Sequence, residues 1–323
     1  MTVRDLAPIA VLIGLLALVP LVVTSNTVLN FLVFTLVIAL AAQGWNLLGG
    51  FGGQFSFGHA AFFGTGAYAT ALLQARLGVN AWAGFALGIA AGGLAGWVIG
   101  FLSFRSGLRG SYFALVTLAF AEVLRILANA SAVTGGAAGL LVRLDVRPGN
   151  FQFASRAAFF WIALALVAVA LVITCAVANS RFGAQLVAVR ENEAAAKALG
   201  VDTLRVKLQA ITLSAAVTAA SGAFYAQYFL YIDANIAYGT WISVEALLAP
   251  IIGGLGTVFG PLVGALALHG LGELTKGFAG SVPGIDLVVF GMLLVIAIAF
   301  APDGILGVAR RLVATMGLRQ RRA

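Results

Sequence analysis

The chain has 323 residues, of which 62% are hydrophobic and only 9% charged, and its mean hydropathy is +1.05. A soluble domain of this size carries about a quarter charged residues and needs a polar exterior, so most of this surface must face lipid. The formal net charge of +8 does not mark a nucleic-acid binder, because the basic residues sit in alternate loops along the chain, as they do in membrane proteins that keep Lys and Arg inside.

A helix that spans the bilayer needs about 20 apolar residues. Taken in chain order, the apolar runs predict about ten spans, over 6–24, 28–48, 54–73, 81–102, 112–130, 157–178, 208–230, 243–256, 261–276 and 285–301. The expectation is an all-α polytopic membrane protein. A β-barrel is excluded because the runs are continuous rather than alternating over about ten residues. The first run resembles a signal peptide, but Thr24-Ser25-Asn26 is a poor small-residue cleavage site, so it reads as a retained helix. The 40 glycines suit close helix packing in lipid. A lone cysteine, Cys175, excludes an intrachain disulfide and a thiolate metal cluster.

Placing both termini in the cytoplasm puts thirteen of the 19 basic residues inside: Arg4, Arg105, Arg109, five between Arg181 and Lys207, and five from Arg310 onward. Five lie outside (Arg76, Arg143, Arg147, Arg156 and Lys276), and Arg125 falls within a span. The stretches 47–55 and 251–259 match at four of nine positions and fall on the same side. Glycine-interrupted segments at corresponding positions suggest an internal repeat near a substrate path.

The largest inside loop, 179–207, holds Arg181, Arg190, Glu191, Glu193, Lys197, Asp202, Arg205 and Lys207. Its composition favours helix, and Phe182, Leu186 and Val189 fall on one face. Glu193 and Lys197 form a helix-supporting i,i+4 pair, and Gly200 is a C-terminal stop. One short amphipathic helix, or two, is therefore expected on the inner surface. A membrane anchor would be rich in Lys and Arg. The mixed charge and alanine centre here suit docking into a partner's groove.

Ala194-Ala195-Ala196, followed after three residues by Gly200 and preceded by Glu193, resembles the signature loop of bacterial ABC-importer permeases. Many of these carry a proline where this chain has Ser214. Seven ordered segments resemble the branched-chain amino-acid permeases and, within them, the LivM-type subunit. They are Trp45–Gly50, Ser56–Tyr68, Tyr112–Glu122, Thr134–Gly136, Arg190–Glu193, Gly253–Pro261 and Pro302–Gly307. The resemblance implies one transmembrane permease domain over 1–323, with a cytoplasmic coupling loop at 179–207 and a basic cytoplasmic tail at 308–323. It also implies a bacterial inner-membrane location, a homologous second permease subunit, two ABC ATPase subunits that bind the ATP, and a periplasmic binding protein. No cofactor of the chain's own is expected, since the sequence has no Gly-x4-Gly-Lys-Ser/Thr loop. Ala138 stands where the family usually has a polar residue before the last glycine, here Gly139. Relatives that carry urea, amides or aromatic acids are the alternative.

Coupling to the ATPase is expected at Arg190, Glu191, Asn192, Glu193, Ala194, Ala195, Ala196 and Gly200. The candidate translocation path comprises His59, Tyr68, Glu122, Thr134, Gly135, Gly136, Gly253, Gly254 and Gly256. Each has a plainer reading beside it. Glu122 and Arg125 can form an intrahelical i,i+3 pair facing the bundle, and His59 and His269 can be hydrogen-bonded packing residues. Glu245 and Glu273 can be solvated span ends, and Asp286 a carboxylate at a helix N-terminus. An ion-coupled carrier would keep acids near mid-span, whereas these lie mostly near span ends. No residues stand at metal-ligand spacing, and no serine has a base and orienter to form a catalytic triad.

Overall fold

The computed structural model describes residues 3–278 and 304–308, with single positions 288, 291, 292, 295 and 311. It is an all-α membrane bundle, and seven of its described helical segments are long and apolar enough to cross a bilayer. They correspond to seven of the ten expected spans. Two more runs are helical but less apolar. These are α4 (His59–Leu77), which carries threonines, Gln74 and Arg76, and α13 (Gly260–Phe278), which carries His269 and Glu273. The run at 285–301, with Asp286, lies outside the described residues apart from four isolated positions.

The chain opens with α1 (Val3–Ala17) and the short α2 (Val19–Val22). Next comes α3 (Asn26–Trp45), which is apolar on all sides and is buried as such helices are. It runs into a π-helical turn, Asn46–Phe51. The expected span at 54–73 starts later, at His59, because residues 54–58 form a loop. α5 is Ala81–Arg105 and α6 is Gly110–Ala130. After a long loop comes α7 (Arg156–Ala178), capped by the Ser155 side chain. Two short helices follow, α8 (Arg181–Glu191) and α9 (Glu193–Ala198). α10 is Thr203–Phe229, α11 Ala234–Ala237 and α12 Thr240–Gly253. A two-residue ladder pairs β1 (Leu140–Leu141) antiparallel with β2 (Tyr231–Ile232), Leu140 opposite Ile232.

α10 lies at the centre, packed on α3, α4 and α5, while α12 and α13 pack together against α3. The contact surface is built from missing side chains. Glycines 84, 88, 92, 96 and 100 recur every four residues on α5, and the last three of them meet Ala219, Ala215 and Ile211 of α10. A methyl group on Gly66 would run into the backbone of Ala219, and one on Gly222 into the carbonyl of Phe63. Small residues let helices approach in lipid, where dispersion and close packing replace the hydrophobic effect. α1 packs along α7 at the rim with only 6% of its apolar window buried.

The loops that the charge distribution assigns to one side share one end of the bundle. Arg190 reaches Gly50, Arg109 reaches Glu193 and Asn46 reaches Thr257. At the far end, Asn80 and Trp82 donate to the carbonyls of Gly149 and Pro148, and the β-ladder joins the loops after α6 and α10.

The seam makes a sharp expectation. Gly222→Ala should cost about 1–3 kcal/mol through overpacking, read as a lower melting temperature of the detergent-purified protein. Gly14→Ala on α1, where nothing lies within 4 Å, should be neutral or slightly stabilising. Equal melting temperatures for the two variants would rule out the seam as the packing determinant.

Candidate functional site

The expected inner-surface element is a pair of helices. Asn192 breaks the run between them with an extended backbone, and its side chain caps α9 by accepting from the Ala195 N–H. On α8, Leu186 and Val189 are buried and Phe182 is half-buried, so the expected apolar face packs on the bundle. Gly200, with φ of +86°, ends the unit in the left-handed region.

Glu193 does not take the local partner Lys197. Its carboxylate accepts from Lys207 Nζ at 2.7 Å and lies 3.3 Å from Arg109 Nε. The Lys207 side chain is 5% exposed and that of Glu193 17%, with the ammonium 5.0 Å from the Phe104 ring centroid. Burial pushes the Glu193 carboxyl up, but the Lys207 hydrogen bond and the Lys207 and Arg109 charges outweigh it. The carboxyl is held below the usual carboxylate range. A nearly buried ion pair thus pins α9 to the base of α10 and to the loop before α6.

Arg190 works in the opposite direction. Its Nη2 and Nε both donate to Glu191 Oε1, at 2.7 and 3.0 Å, and its Nη1 donates to the Gly50 carbonyl at 2.9 Å. Its stem fills the space that a side chain on Gly53 would need. Gly50 also abuts Gly256, and the Asn46 side chain bridges the two stretches, donating to the Thr257 carbonyl and accepting from the Gly256 N–H, both at 2.9 Å. The two sequence-similar stretches therefore meet under the α8–α9 hairpin. Their conformations differ, since the first is a π-turn and the second ends α12 at Gly253, with Gly254 at φ of +133°.

The remaining surface of the hairpin is open. Ala194 and Ala195 are exposed, while Ala196 is buried against the chain's own bundle. Leu199, absent from the expected set, stands 86% exposed one turn after Ala195.

The other candidate path residues divide between the core and the far end. His59 is wholly buried at the start of α4, its Nε2 2.9 Å from Ser214 Oγ. The single Ser214 hydroxyl proton goes to the Gly44 carbonyl, so His59 Nε2 donates to Ser214. Ser214 thus bridges the ring to α3, while the buried His59 Nδ1 has no hydrogen-bond partner among the described residues. Tyr68 is buried and stacked on Tyr238 at 5.7 Å. Thr134 folds over the end of α6, donating to the carbonyls of Ala128 and Ser131, and Gly135 and Gly136 follow at φ of +84° and +56°. Glu122 and Arg125 form the expected pair, with Nη2 to Oε1 at 2.6 Å and Nε to Oε2 at 2.9 Å. The pair is split, however: Arg125, 29% exposed, reaches inward to Asn235 of α11, while the Glu122 side chain is turned outward and 48% exposed. His269 Nε2 lies 3.5 Å from Glu245 Oε2 without a hydrogen bond between them, and the Glu245 side chain is 30% exposed. Among the described residues no group of His, Cys, Asp or Glu is placed to hold a metal.

The family model described as the permease component of branched-chain amino acid transport systems matches residues 27–298. The chain belongs to this family. LivM of Escherichia coli K12, a high-affinity branched-chain amino acid transport system permease protein, is 28% identical over 96% of this chain and 76% of its own length. LivM of Salmonella typhimurium is 29% identical over 90% of this chain and 72% of its own. LivH of Escherichia coli K12 is 27% identical over 83% of this chain and 91% of its own. No solved structure matches the chain.

In this permease Arg109 and Lys207 lie at the end where their charge placed them, but their contacts with Glu193, that of Asn46 with residues 256–257, and the parts of Leu199 and Asn235 were not among the sequence expectations. Leu199 had a local signal, as a bulky residue one turn beyond exposed alanines. The partners of Glu193 and Gly50 are distant in sequence and left none.

The Glu193–Lys207 pair generates a quantitative expectation. Glu193→Ala leaves an ammonium buried without its main partner and should cost about 3–5 kcal/mol. The double variant Glu193→Gln, Lys207→Met should recover much of that. Because the folded carboxyl is depressed from 4.5, its contribution is present above that value and is lost as pH falls through the folded pKa. Amide hydrogen exchange in 193–198, corrected for intrinsic rates, should therefore speed up only in the acid range. Protection in 193–198 that is unchanged in Glu193→Ala would contradict the pin.

Proposed function

We propose that this permease is one subunit of an ATP-driven importer that carries branched-chain, hydrophobic amino acids across the bacterial inner membrane. It works beside a homologous second permease, above two ATPase subunits, and receives substrate from a periplasmic binding protein. The family match over 27–298 carries this reading. That relatives named LivM and LivH both match supports a paired arrangement of homologous subunits. The hairpin end and both termini face the cytoplasm in this reading, which the charge distribution supports. ATP is bound by the partners, and the chain itself hydrolyses none.

The exposed edge of the hairpin is the coupling surface in this proposal. Ala194, Ala195 and Leu199 offer two small residues and one knob on a helix held stiffly by Lys207 and Arg109. Arg190 connects the same hairpin to the turn at Gly50, so a push from below reaches the paired glycine turns directly. The charges of Arg190, Glu191 and Glu193 pair within the chain, which supports a part for them in holding the hairpin's shape.

In cells lacking other uptake systems, the complete operonic complex should accumulate labelled leucine, isoleucine or valine more than urea. Uptake of urea alone would replace the substrate. Ala195→Trp should reach the membrane at normal abundance, recover less ATPase subunit on pull-down and lose uptake. Normal uptake together with normal ATPase recovery would move the coupling surface elsewhere.

A further inference from the structure

α6 turns one stripe away from its own bundle. Leu115, Ala119, Glu122, Val123 and Ile126 are exposed at helical spacing, and only 28% of the α6 window is buried. On α1 the comparable face is purely apolar and suits lipid. On α6 it carries a carboxylate and a guanidinium. Glu122 lies eight residues before Ala130, about 12 Å inside the helix end at 1.5 Å per residue. Charged groups at such depth face a water-filled path or a protein neighbour rather than hydrocarbon.

The chemistry of the stripe is specific. Arg125 spends three of its five N–H donors, two on Glu122 and one on Asn235 Oδ1 at 2.6 Å. Asn235 is itself fixed, since Asp233 Oδ1 accepts from the N–H groups of Asn235 and Ile236 and holds α11 in place. The result is an anionic and a cationic group side by side, both partly open, with a branched aliphatic side chain, the exposed Ile126, one turn beyond Glu122 on its face. An α-amino acid with a branched side chain carries the complementary set: an ammonium and a carboxylate on one carbon, and an aliphatic group beside them.

We propose that Glu122 and Arg125, oriented by Asn235, form a passage site for the zwitterionic head of the substrate, with Ile126 beside its side chain. This rests on the proposed function above. The ammonium takes free lone pairs of the Glu122 carboxylate and the carboxylate takes unused N–H donors of Arg125, so the resident ion pair is extended rather than broken. Zwitterionic amino acids are selected over neutral amides and over amines lacking a carboxylate.

The test separates substrate contact from a purely structural staple between α6 and α11, using the complete importer with its binding protein in proteoliposomes. The swap Glu122→Arg, Arg125→Glu keeps an intrahelical pair but reverses its polarity. It should lower leucine uptake roughly tenfold or more, as loss of charge-assisted bonds to substrate would, with normal assembly. Wild-type uptake by the swap would overturn the site. In a second arm, Ile126→Cys in a Cys175→Ser background should react with a water-soluble thiosulfonate and be protected by leucine under turnover. Reaction only with a lipid-soluble maleimide, or no protection, would also overturn it. If the swap does not assemble, the labelling arm decides alone. If the unmodified complex takes up no branched-chain amino acid, the substrate reading falls and this site with it. Normal wild-type uptake with a fully active swap sinks the site alone.

Discussion

Helices already surrounded by hydrocarbon gain little by burying more of it, so this bundle depends on how closely its backbones can approach. The approach is concentrated on α10. Gly66 of α4 and Gly92, Gly96 and Gly100 of α5 present bare backbone to Ala219, Ala215 and Ile211, while Gly222 of α10 presents its own to Phe63. With the side chains gone, the polar groups of neighbouring helices come within reach of each other. Ser221 donates to the Val37 carbonyl, and Ser214 links His59 to Gly44. Gln43 donates to the carbonyl of Val258 and accepts from Thr174. Buried hydrogen bonds of this kind satisfy groups that lipid cannot solvate, and the close approach of the helices lets them form.

The same economy shapes the hairpin end. A surface ion pair contributes little to stability, but the pair between Glu193 and Lys207 is shielded, and removing one partner would strand the other. That asymmetry makes it a positional device: it fixes where α9 lies relative to α10 more firmly than its net energy would suggest. Arg190 supplies the second fixed point through the Gly50 carbonyl. Between the two, a pair of short helices that would be marginal alone is held as one stiff piece.

Much of this was legible in the sequence. The long apolar runs set the helical class and located seven of the spans, and composition placed helix at 182–200. The i,i+3 spacing of Glu122 and Arg125 was enough to foresee their pairing. Their orientation was not foreseeable, because periodicity identifies a face but does not say which face the bundle uses. The i,i+4 rule pointed Glu193 to Lys197, while a better-buried lysine fourteen residues on took the contact. One helix or two remained open over this stretch; the Asn192 side chain decides it by bonding the Ala195 N–H and starting a second, the usual competition between a capping side chain and helix continuation. The two glycine-rich stretches were recognisable as similar, but that Asn46 and Arg190 would bring them together depends on tertiary packing.

α10 runs unbroken for 27 residues, about 40 Å at 1.5 Å per residue. Its base is clamped to the hairpin through Lys207, and its tip leads directly into Tyr231–Ile232, which is laddered to Leu140–Leu141. A rod gripped at both ends is a mechanical lever. A tilt of roughly 5° at its foot would carry its head about 3.5 Å sideways over that length, and the ladder would drag the loop that follows α6 along with it. Opposite faces of the membrane would then share one moving part, with no chain of small side-chain rearrangements needed between them.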